Sequence, residues 1–350
     1  MTKDCGLVTI HGMKTAKAEM RQEPDKMNIE EVYGLIKDDL SRVEHEFKKS
    51  LRSEVYLISK VGEYILKSGG KRFRPSLLLL SARLCDCKDY CHIPLAGMVE
   101  FIHTATLLHD DVVDNAKLRR GKVSANSIWG NGASVLIGDF LFSKSFDIMV
   151  KDGNMRVLEV MAGTTTYMAE GEILQLMKEG DIGITEDEYT SVILNKTALL
   201  ISAACRLGAI LGKTSLKQEN ALADFGIELG IAFQLIDDCM DYKSQASEWG
   251  KAIGNDLREG KVTMPLIHTL RNCSKEEQEE ISRAIEGDYI GEECLKRIIE
   301  LIDRYKGIEY TENRAREYVD RAKNFLDTFE HCLEKTALYA MADYVIDRRS

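Results

Sequence analysis

Proline is the residue that most restricts what this chain can fold into, because its 350 residues include only Pro24, Pro75, Pro94 and Pro265. Proline interrupts helices and stiffens loops, and average proteins contain about 5% of it. Such a low content predicts a mostly helical protein and disfavours two domains joined by a proline-rich linker, although the length alone suggests about two domains. We therefore expect one large helical domain over residues 28–350.

The composition is typical of a soluble globular protein with a large core, since 44% of the residues are hydrophobic and 30% are charged. A net charge of 47 − 57 = −10 argues against nucleic acid as a partner. No apolar run reaches the roughly 18 residues of a membrane span. Residues 1–27 lack the apolar stretch of a secretory signal, so we expect a mobile tail. Nine cysteines, an odd number spread along the chain, indicate reduced thiols and a cytoplasmic protein.

Apolar residues recur at spacings of three and four from Met27 onward, which is the periodicity of amphipathic helices. Hydroxyl residues followed three positions later by Glu or Gln predict capping boxes at Thr185, Ser215 and Ser274. No convincing strand pattern is found. The predicted helices lie near 28–49, 51–67, 76–85, 94–115, 132–151, 154–178, 186–211, 216–246, 263–271, 275–285, 290–305 and 311–347.

Two segments, FIHTATLLHDDVVD (101–114) and GIAFQLIDDCMD (230–241), end an apolar helical stretch with Asp-Asp-x-x-Asp. Aspartates at i, i+3 and i+4 share one helix face, where like charges are costly unless they are paired, protonated or bound to metal. Carboxylate oxygens without nearby Cys favour Mg²⁺, which readily shares its coordination shell with phosphate oxygens. The sequence therefore predicts a polyphosphate ligand. The aspartates are Asp110, Asp111, Asp114, Asp237, Asp238 and Asp241.

Basic residues cluster in two segments that a diphosphate would need, SGGKRFRP (68–75) and KLRRGK (117–122). Gly69 and Gly70 in the first segment permit close approach of the backbone to an anion. Together with the aspartates, these residues suggest two diphosphates, one bridged by metal and one held by basic side chains. The basic residues are Lys71, Arg72, Arg74, Arg119, Arg120 and Lys122.

From about residue 28 to its end, the chain resembles the trans-isoprenyl diphosphate synthases. The resemblance rests on GGKRFRP, FIHTATLLHDDVVD, RRG, NKTALL (195–200), GIAFQLIDDCMDY and GKAIGNDLREGKVTMPLI (250–267), all in the expected order. Within that family it looks like the octaprenyl-type long-chain synthases. The resemblance implies an all-α fold of isoprenoid synthase type I, a single helical bundle around a deep central cavity, and a homodimer.

The resemblance also implies a Mg²⁺-dependent, head-to-tail 1′-4 condensation of an allylic diphosphate with isopentenyl diphosphate, with about three Mg²⁺ ions per active site. The product would be an all-trans polyprenyl diphosphate longer than C20, a quinone side-chain precursor. Peripheral membrane contact would serve product release. A short-chain C15 or C20 synthase of the same family is the alternative.

The resemblance also implies residue roles, which are assigned here by the positions of the matching motifs. The metal ligands would be Asp110, Asp114 and Asp237, and the catalytic set would add Asp111, Asp238, Arg119 and Lys196. The allylic diphosphate would contact Arg119, Lys196, Thr197, Gln234, Lys251 and Lys261. Isopentenyl diphosphate would contact Lys71, Arg74, His103 and Arg120. The small residues Ala105 and Thr106 would wall the product cavity where short-chain enzymes carry aromatic side chains.

Rival interpretations share some of these features. A terpene cyclase or a head-to-head synthase has similar aspartates, but a cyclase has no need of a second diphosphate site. A helical di-iron oxidoreductase fits the Glu-x-x-His unit of Glu100 and His103, although the second copy that it requires is not found. A non-catalytic partner subunit would be expected to lose aspartates, and both clusters are intact.

Overall fold

The computed structural model describes residues 27–67, 69–119, 121–243, 254–285 and 290–348, and most of them are helical. Of the predicted tail, only Met27 lies within these residues. The α-helices are α1 (Ile29–Leu35), α2 (Lys37–Ser50), α3 (Tyr56–Lys67), α4 (Phe73–Leu84), α5 (His92–Val113), α6 (Ala125–Trp129), α7 (Asn131–Asp152), α8 (Met155–Met177), α9 (Glu186–Ile193), α10 (Leu199–Leu211), α11 (Leu216–Lys243), α12 (Asn255–Arg258), α13 (Met264–Asn272), α14 (Lys275–Ile285), α15 (Glu292–Arg304), α16 (Gly307–Phe325) and α17 (Leu333–Asp347).

Short non-α elements lie between these helices. A π-helical turn (Leu194–Ala198) joins α9 to α10, and a 3-10 turn (Leu326–Thr328) follows α16. β1 (Leu118–Arg119) pairs antiparallel with β2 (Lys122–Val123) in a minimal hairpin. The predicted loop 116–131 therefore contains a hairpin and a short helix, neither of which has enough residues to produce a periodic pattern.

Helix starts follow the predicted capping chemistry. The Thr185 hydroxyl accepts from the amide of Glu188, whose carboxylate accepts in return from the amide of Thr185. Reciprocal bonds of the same kind form at Ser215 and Ser274. Pro265 lies in the first turn of α13, where no amide donor is needed.

Two predicted helices are interrupted. The helix over 28–49 breaks at Ile36, whose backbone leaves the helical region at φ −108° and ψ 12°. The helix over 311–347 is two helices, α16 and α17, separated by 326–332, which include the 3-10 turn. Hydrophobic periodicity continues across both breaks because the flanking helices bury faces in the same core.

The fold positions the site by packing α10 closely between α4 and α11. A side chain at Gly230 of α11 would lie 2.5 Å from the Cα of Ala198, and one at Gly226 would lie 2.5 Å from the Cα of Ser202. These glycines let the two backbones nearly touch. The aspartate cluster at the end of α11 is thereby held beside the π-helical turn.

The continuous helical stretch Glu186–Leu211 is long and apolar enough to cross a membrane by length and composition alone. Its most apolar window is 67% buried inside the protein, which is the behaviour of a core helix.

Candidate active site

A cavity of about 230 Å³ lies between the C-terminal end of α5, the π-helical turn, the second half of α11 and the segment around α12. Eight side chains that the sequence assigned to the site line it: Asp110, Asp114, Arg119, Lys196, Thr197, Gln234, Asp238 and Lys261. The motifs therefore converge on one concave surface.

Asp110 and Lys196 meet on one side of the cavity. The Lys196 ammonium lies 3.8 Å from Asp110 Oδ2 and 2.7 Å from an oxygen of Glu172 on α8. Burial raises the pKa of Asp110 to about 6, although the charge of Lys196 acts in the opposite direction. Asp110 is therefore a desolvated carboxylate with incomplete cationic compensation, a state that favours uptake of a cation.

Asp114 and Lys261 form the matching arrangement on the opposite side. Lys261 Nζ lies 3.0 Å from Asp114 Oδ2 and 2.7 Å from Glu259 Oε2. Burial acts to lower the pKa of Lys261, but the two carboxylates outweigh it and raise the pKa above its ordinary value. Lys196 and Lys261 are thus each shared between a motif aspartate and a glutamate.

Asp238 lies at the centre of a buried hydrogen-bond network. The Tyr189 hydroxyl donates to one carboxylate oxygen and the Gln234 amide to the other, at 2.9 Å. The Thr197 hydroxyl in turn donates to the Gln234 carbonyl at 3.0 Å. Burial raises the pKa of Asp238 to about 7, and the two donated bonds partly offset that rise. Asp238 therefore fixes the orientation of Gln234 and, through it, of Thr197.

The other two aspartates of the second cluster contact the protein differently. Asp241 accepts the amides of Asn255 and Asp256, at 3.2 and 3.1 Å, and so anchors α12 beside the cavity. Asp237, predicted as a metal ligand, is half-exposed and pairs with Arg348 at 2.7 Å.

A second cavity of about 60 Å³ adjoins the first, and Arg119 lines both. His103 and Asp111 also line the smaller cavity. Arg119 Nε donates to Asp111 Oδ1 at 2.7 Å, so Asp111 is buried with its cation and holds Arg119 between the two cavities. Glu100 lies there as well, in a 2.8 Å ion pair with Arg72.

The glycine-rich loop before α4 is held by aromatic residues. Gly69 and Gly70 adopt positive φ, at 74° and 152°, as the turn requires. The Tyr33 hydroxyl donates to the carbonyl of Lys71 at 2.6 Å, while the Lys71 ammonium lies 5.2 Å from the centroid of the Tyr344 ring. Neither Lys71 nor Arg74 lines either cavity.

The two predicted wall residues differ in placement. Ala105 is fully buried in an apolar cluster that includes Phe101 and Leu141. Thr106 is only half-buried and lies one helical turn before Asp110, on the same face of α5. Thr106 is therefore better placed than Ala105 to meet a chain that grows away from Asp110.

Arg120 and Lys251 were assigned to substrate binding and lie outside the described residues. The sequence patterns did not indicate several residues in or beside the larger cavity, most of which belong to segments outside the recognised motifs. Glu259 in the DLREGK segment offered a signal, an acidic residue beside a motif lysine. The missed residues are Glu172, Gln175, Lys178, Glu179, Tyr189, Asn255, Asp256 and Glu259.

The donor set fits Mg²⁺. Among the described residues that line the larger cavity, the anionic donors are carboxylates, and neither His nor Cys occurs. In the described part of the chain, no three carboxylate, His or Cys side chains converge closely enough to form a metal cage by themselves. Mg²⁺ does not need such a cage, since one or two carboxylates suffice when phosphate oxygens and water complete its coordination shell.

Comparison with known proteins agrees with this geometry. The polyprenyl synthetase family model matches residues 55–302. The octaprenyl diphosphate synthase of Escherichia coli is 41% identical over 322 residues, 92% of this chain and 99% of the relative. An all-trans-nonaprenyl-diphosphate synthase of Rhodobacter capsulatus is 36% identical over 321 residues, 91% and 98% of the two chains.

Solved structures give the same result. A polyprenyl synthase from Caulobacter crescentus, in complex with calcium and isoprenyl diphosphate, superposes with a TM-score of 0.89 at 39% identity and covers 95% of this chain and 100% of its own. This chain therefore belongs to the polyprenyl synthetase family, has the all-helical fold of its relatives, and is an enzyme that transfers prenyl groups.

Proposed function

We propose that this protein condenses an allylic diphosphate with isopentenyl diphosphate, head to tail, and repeats the step to make an all-trans polyprenyl diphosphate longer than C20. The observation that carries the proposal is the pair of adjoining cavities that share Arg119. The larger combines carboxylates with lysines, as a metal-bound diphosphate requires, and the smaller carries His103 beside the glycine-rich loop. Two long-chain synthases among the relatives support the product class.

In this proposal the larger cavity holds the allylic diphosphate. Asp110, Asp114 and Asp237 would bind Mg²⁺, about three ions, and this metal would supply positive charge to neutralise the diphosphate. Lys196 and Lys261 face the same anion and stabilise it further, because charges in a site shielded from water act strongly. Arg119 lies within reach of both diphosphates.

The remaining proposed roles concern isopentenyl diphosphate and the proton. Lys71, Arg74 and Arg120 would join His103 in binding isopentenyl diphosphate. The released diphosphate is the proposed proton acceptor. His109 is a poor general base, because it lies 3.2 Å from the carbonyl of Val135 and 3.3 Å from Asp139, and it does not line the larger cavity.

The test is incubation with farnesyl diphosphate, labelled isopentenyl diphosphate and Mg²⁺, followed by mass spectrometry of the dephosphorylated product. Long all-trans polyprenols are expected. Products that stop at C15 or C20 would assign the chain to the short-chain synthases, and absence of isopentenyl incorporation would refute elongation. Asp110→Ala should abolish incorporation, whereas Asp303→Ala on the exposed face of α15 should not.

A homodimer is also proposed, because α7 and α8 present several large apolar side chains to solvent, which an interface between subunits would cover. Sedimentation equilibrium would measure the mass, and a monomer at micromolar concentration would contradict the proposal. We also propose a cytoplasmic location, with peripheral contact to a membrane when the product is released. The exposed residues are Val135, Leu136, Val150, Met155, Tyr167, Ile173, Leu176 and Met177.

A further inference from the structure

Arg348, directly after the last residue of α17, is buried against α11. Its side chain is only 7% exposed, and one guanidinium nitrogen lies 2.7 Å from Asp237 Oδ1 and 2.6 Å from the carbonyl oxygen of Phe233. The guanidinium carbon lies 3.5 Å from the centroid of the Phe233 ring, which packs on Phe73 at 5.1 Å. The arginine is thus held by an ion pair, a hydrogen bond and a cation–π contact at once.

This arrangement differs from those of the other two predicted metal ligands. Lys196 and Lys261 each contact a glutamate besides the motif aspartate, so each keeps an anionic partner when its aspartate turns to another cation. In the described part of the chain, Arg348 forms its ion pair with Asp237 alone. A second cation at Asp237 would therefore have to displace the guanidinium or bind beside it against electrostatic repulsion.

We propose that Arg348 is an internal counter-ion of Asp237 that competes with the divalent cation for this carboxylate and so weakens metal binding at the second aspartate cluster. It acts through Asp237 and is a positioning residue. The ring and carbonyl of Phe233 retain the displaced arginine close by, so that it returns to Asp237 when the metal leaves. The inference rests on the proposed function to the extent that Asp237 is a metal ligand.

The sign of the effect distinguishes this role from a structural one. Arg348→Gln removes the competing charge and keeps a donor for the Phe233 carbonyl, so divalent-cation affinity should rise. Because Asp237 is 39% exposed, we expect a moderate gain of about three- to tenfold. A purely structural arginine would leave the affinity unchanged or lower it when replaced.

Titration of the full chain with Mn²⁺ in the absence of substrate, followed by electron paramagnetic resonance of the unbound ion, measures the affinity. Mn²⁺ takes the same oxygen ligands as Mg²⁺. Unchanged or weaker binding by Arg348→Gln overturns the proposal. The gain in affinity must also vanish when the wild type and Arg348→Gln are compared in an Asp237→Asn background. A gain that persists in that background overturns the proposal as well.

Arg321→Gln is the matched control. Arg321 also pairs with a carboxylate of α11, Glu228 at 2.7 Å, and also covers an aromatic ring, Tyr318 at 4.0 Å. Its replacement should leave Mn²⁺ affinity at the wild-type value, and a similar gain would mean that net charge alone is responsible, against the proposal.

If Arg348→Gln does not fold, Arg348→Met gives the answer, because methionine can still pack on the Phe233 ring but carries no charge to compete at Asp237. It should bind Mn²⁺ more tightly than the wild type, and equal or weaker binding refutes competition. Because none of these measurements uses turnover, failure to elongate a prenyl chain would refute the proposed function and leave the inference standing.

Discussion

Replacing Tyr189 with Phe removes one of the two hydrogen bonds that the buried Asp238 carboxylate accepts. The Gln234 amide remains as a donor to the other oxygen. Because Asp238 is almost completely buried, no solvent replaces the lost hydroxyl. The substitution should therefore destabilise the ionised carboxylate far more than the protonated one.

The magnitude follows from the value of a hydrogen bond to a charged group, about 1.5–3 kcal/mol. Because the same bond to the protonated carboxyl contributes about 1 kcal/mol, the difference is about 0.5–2 kcal/mol. At about 1.4 kcal/mol for each pKa unit, this difference raises the pKa of Asp238 from about 7 to about 7.4–8.4. An aspartate whose pKa is raised by folding makes the metal-free protein lose stability as the pH rises toward the folded-state pKa. That loss of stability ends near pH 7 in the wild type and continues to about pH 7.4–8.4 in the variant.

Urea unfolding in the presence of EDTA from pH 6 to pH 9 measures the difference. The variant should be less stable by about 1 kcal/mol at pH 6, where the lost bond joins neutral groups, and by about 1.5–3 kcal/mol at pH 9. Tyr242→Phe is the control, because that buried hydroxyl faces the neutral hydroxyl of Thr263 at 3.5 Å. A cost of Tyr189→Phe that stays constant or falls with pH would refute the reasoning.

Three further outcomes are expected. Thr106→Tyr should shorten the product because a ring one turn before Asp110 obstructs the growing chain, whereas Thr106→Ser should leave product length unchanged. Reversed-phase chromatography measures product length, and products of unchanged length from Thr106→Tyr would contradict the prediction. Gly171→Ala should cost about 1–3 kcal/mol and lower turnover, because its methyl group would lie 2.8 Å from the backbone nitrogen of Lys196. Gly163→Ala on the same helix meets nothing within 4 Å, and equal effects in urea unfolding would argue against the clash. Mn²⁺ affinity should fall by about tenfold per pH unit below pH 6, since Asp110, with its pKa near 6, must lose its proton to bind metal. Equal Mn²⁺ affinities at pH 5 and pH 7 would contradict this prediction.

The sequence predicted the convergence of the site because its motifs carry the chemistry within short spacings. Asp110 and Asp114 share a helix face by their spacing of four, and the lysine and threonine of NKTALL belong to a recognisable motif. What could not be read from the sequence are the partners supplied by distant segments. Glu172 contacts Lys196 from 24 positions earlier in the chain, and nothing in that spacing indicates the contact.

Helices were predicted well where periodicity was long, and poorly where local geometry broke it. Residues 186–211 show one continuous apolar pattern, yet the structure widens its middle into a π-helical turn at 194–198. The sequence does not indicate this widening, because the turn packs on Gly171 and Gly230, which belong to two other helices.

The sharing of each cavity lysine with a glutamate has a consequence for ligand affinity. Lys196 and Lys261 are already paired before any diphosphate arrives, because Glu172 and Glu259 each lie 2.7 Å from their ammonium groups. A flexible lysine loses about 0.5–1.5 kcal/mol of rotamer freedom when a ligand orders it. Here that loss occurs once, during folding. Each successive condensation then uses two lysines whose ammonium groups need no rearrangement.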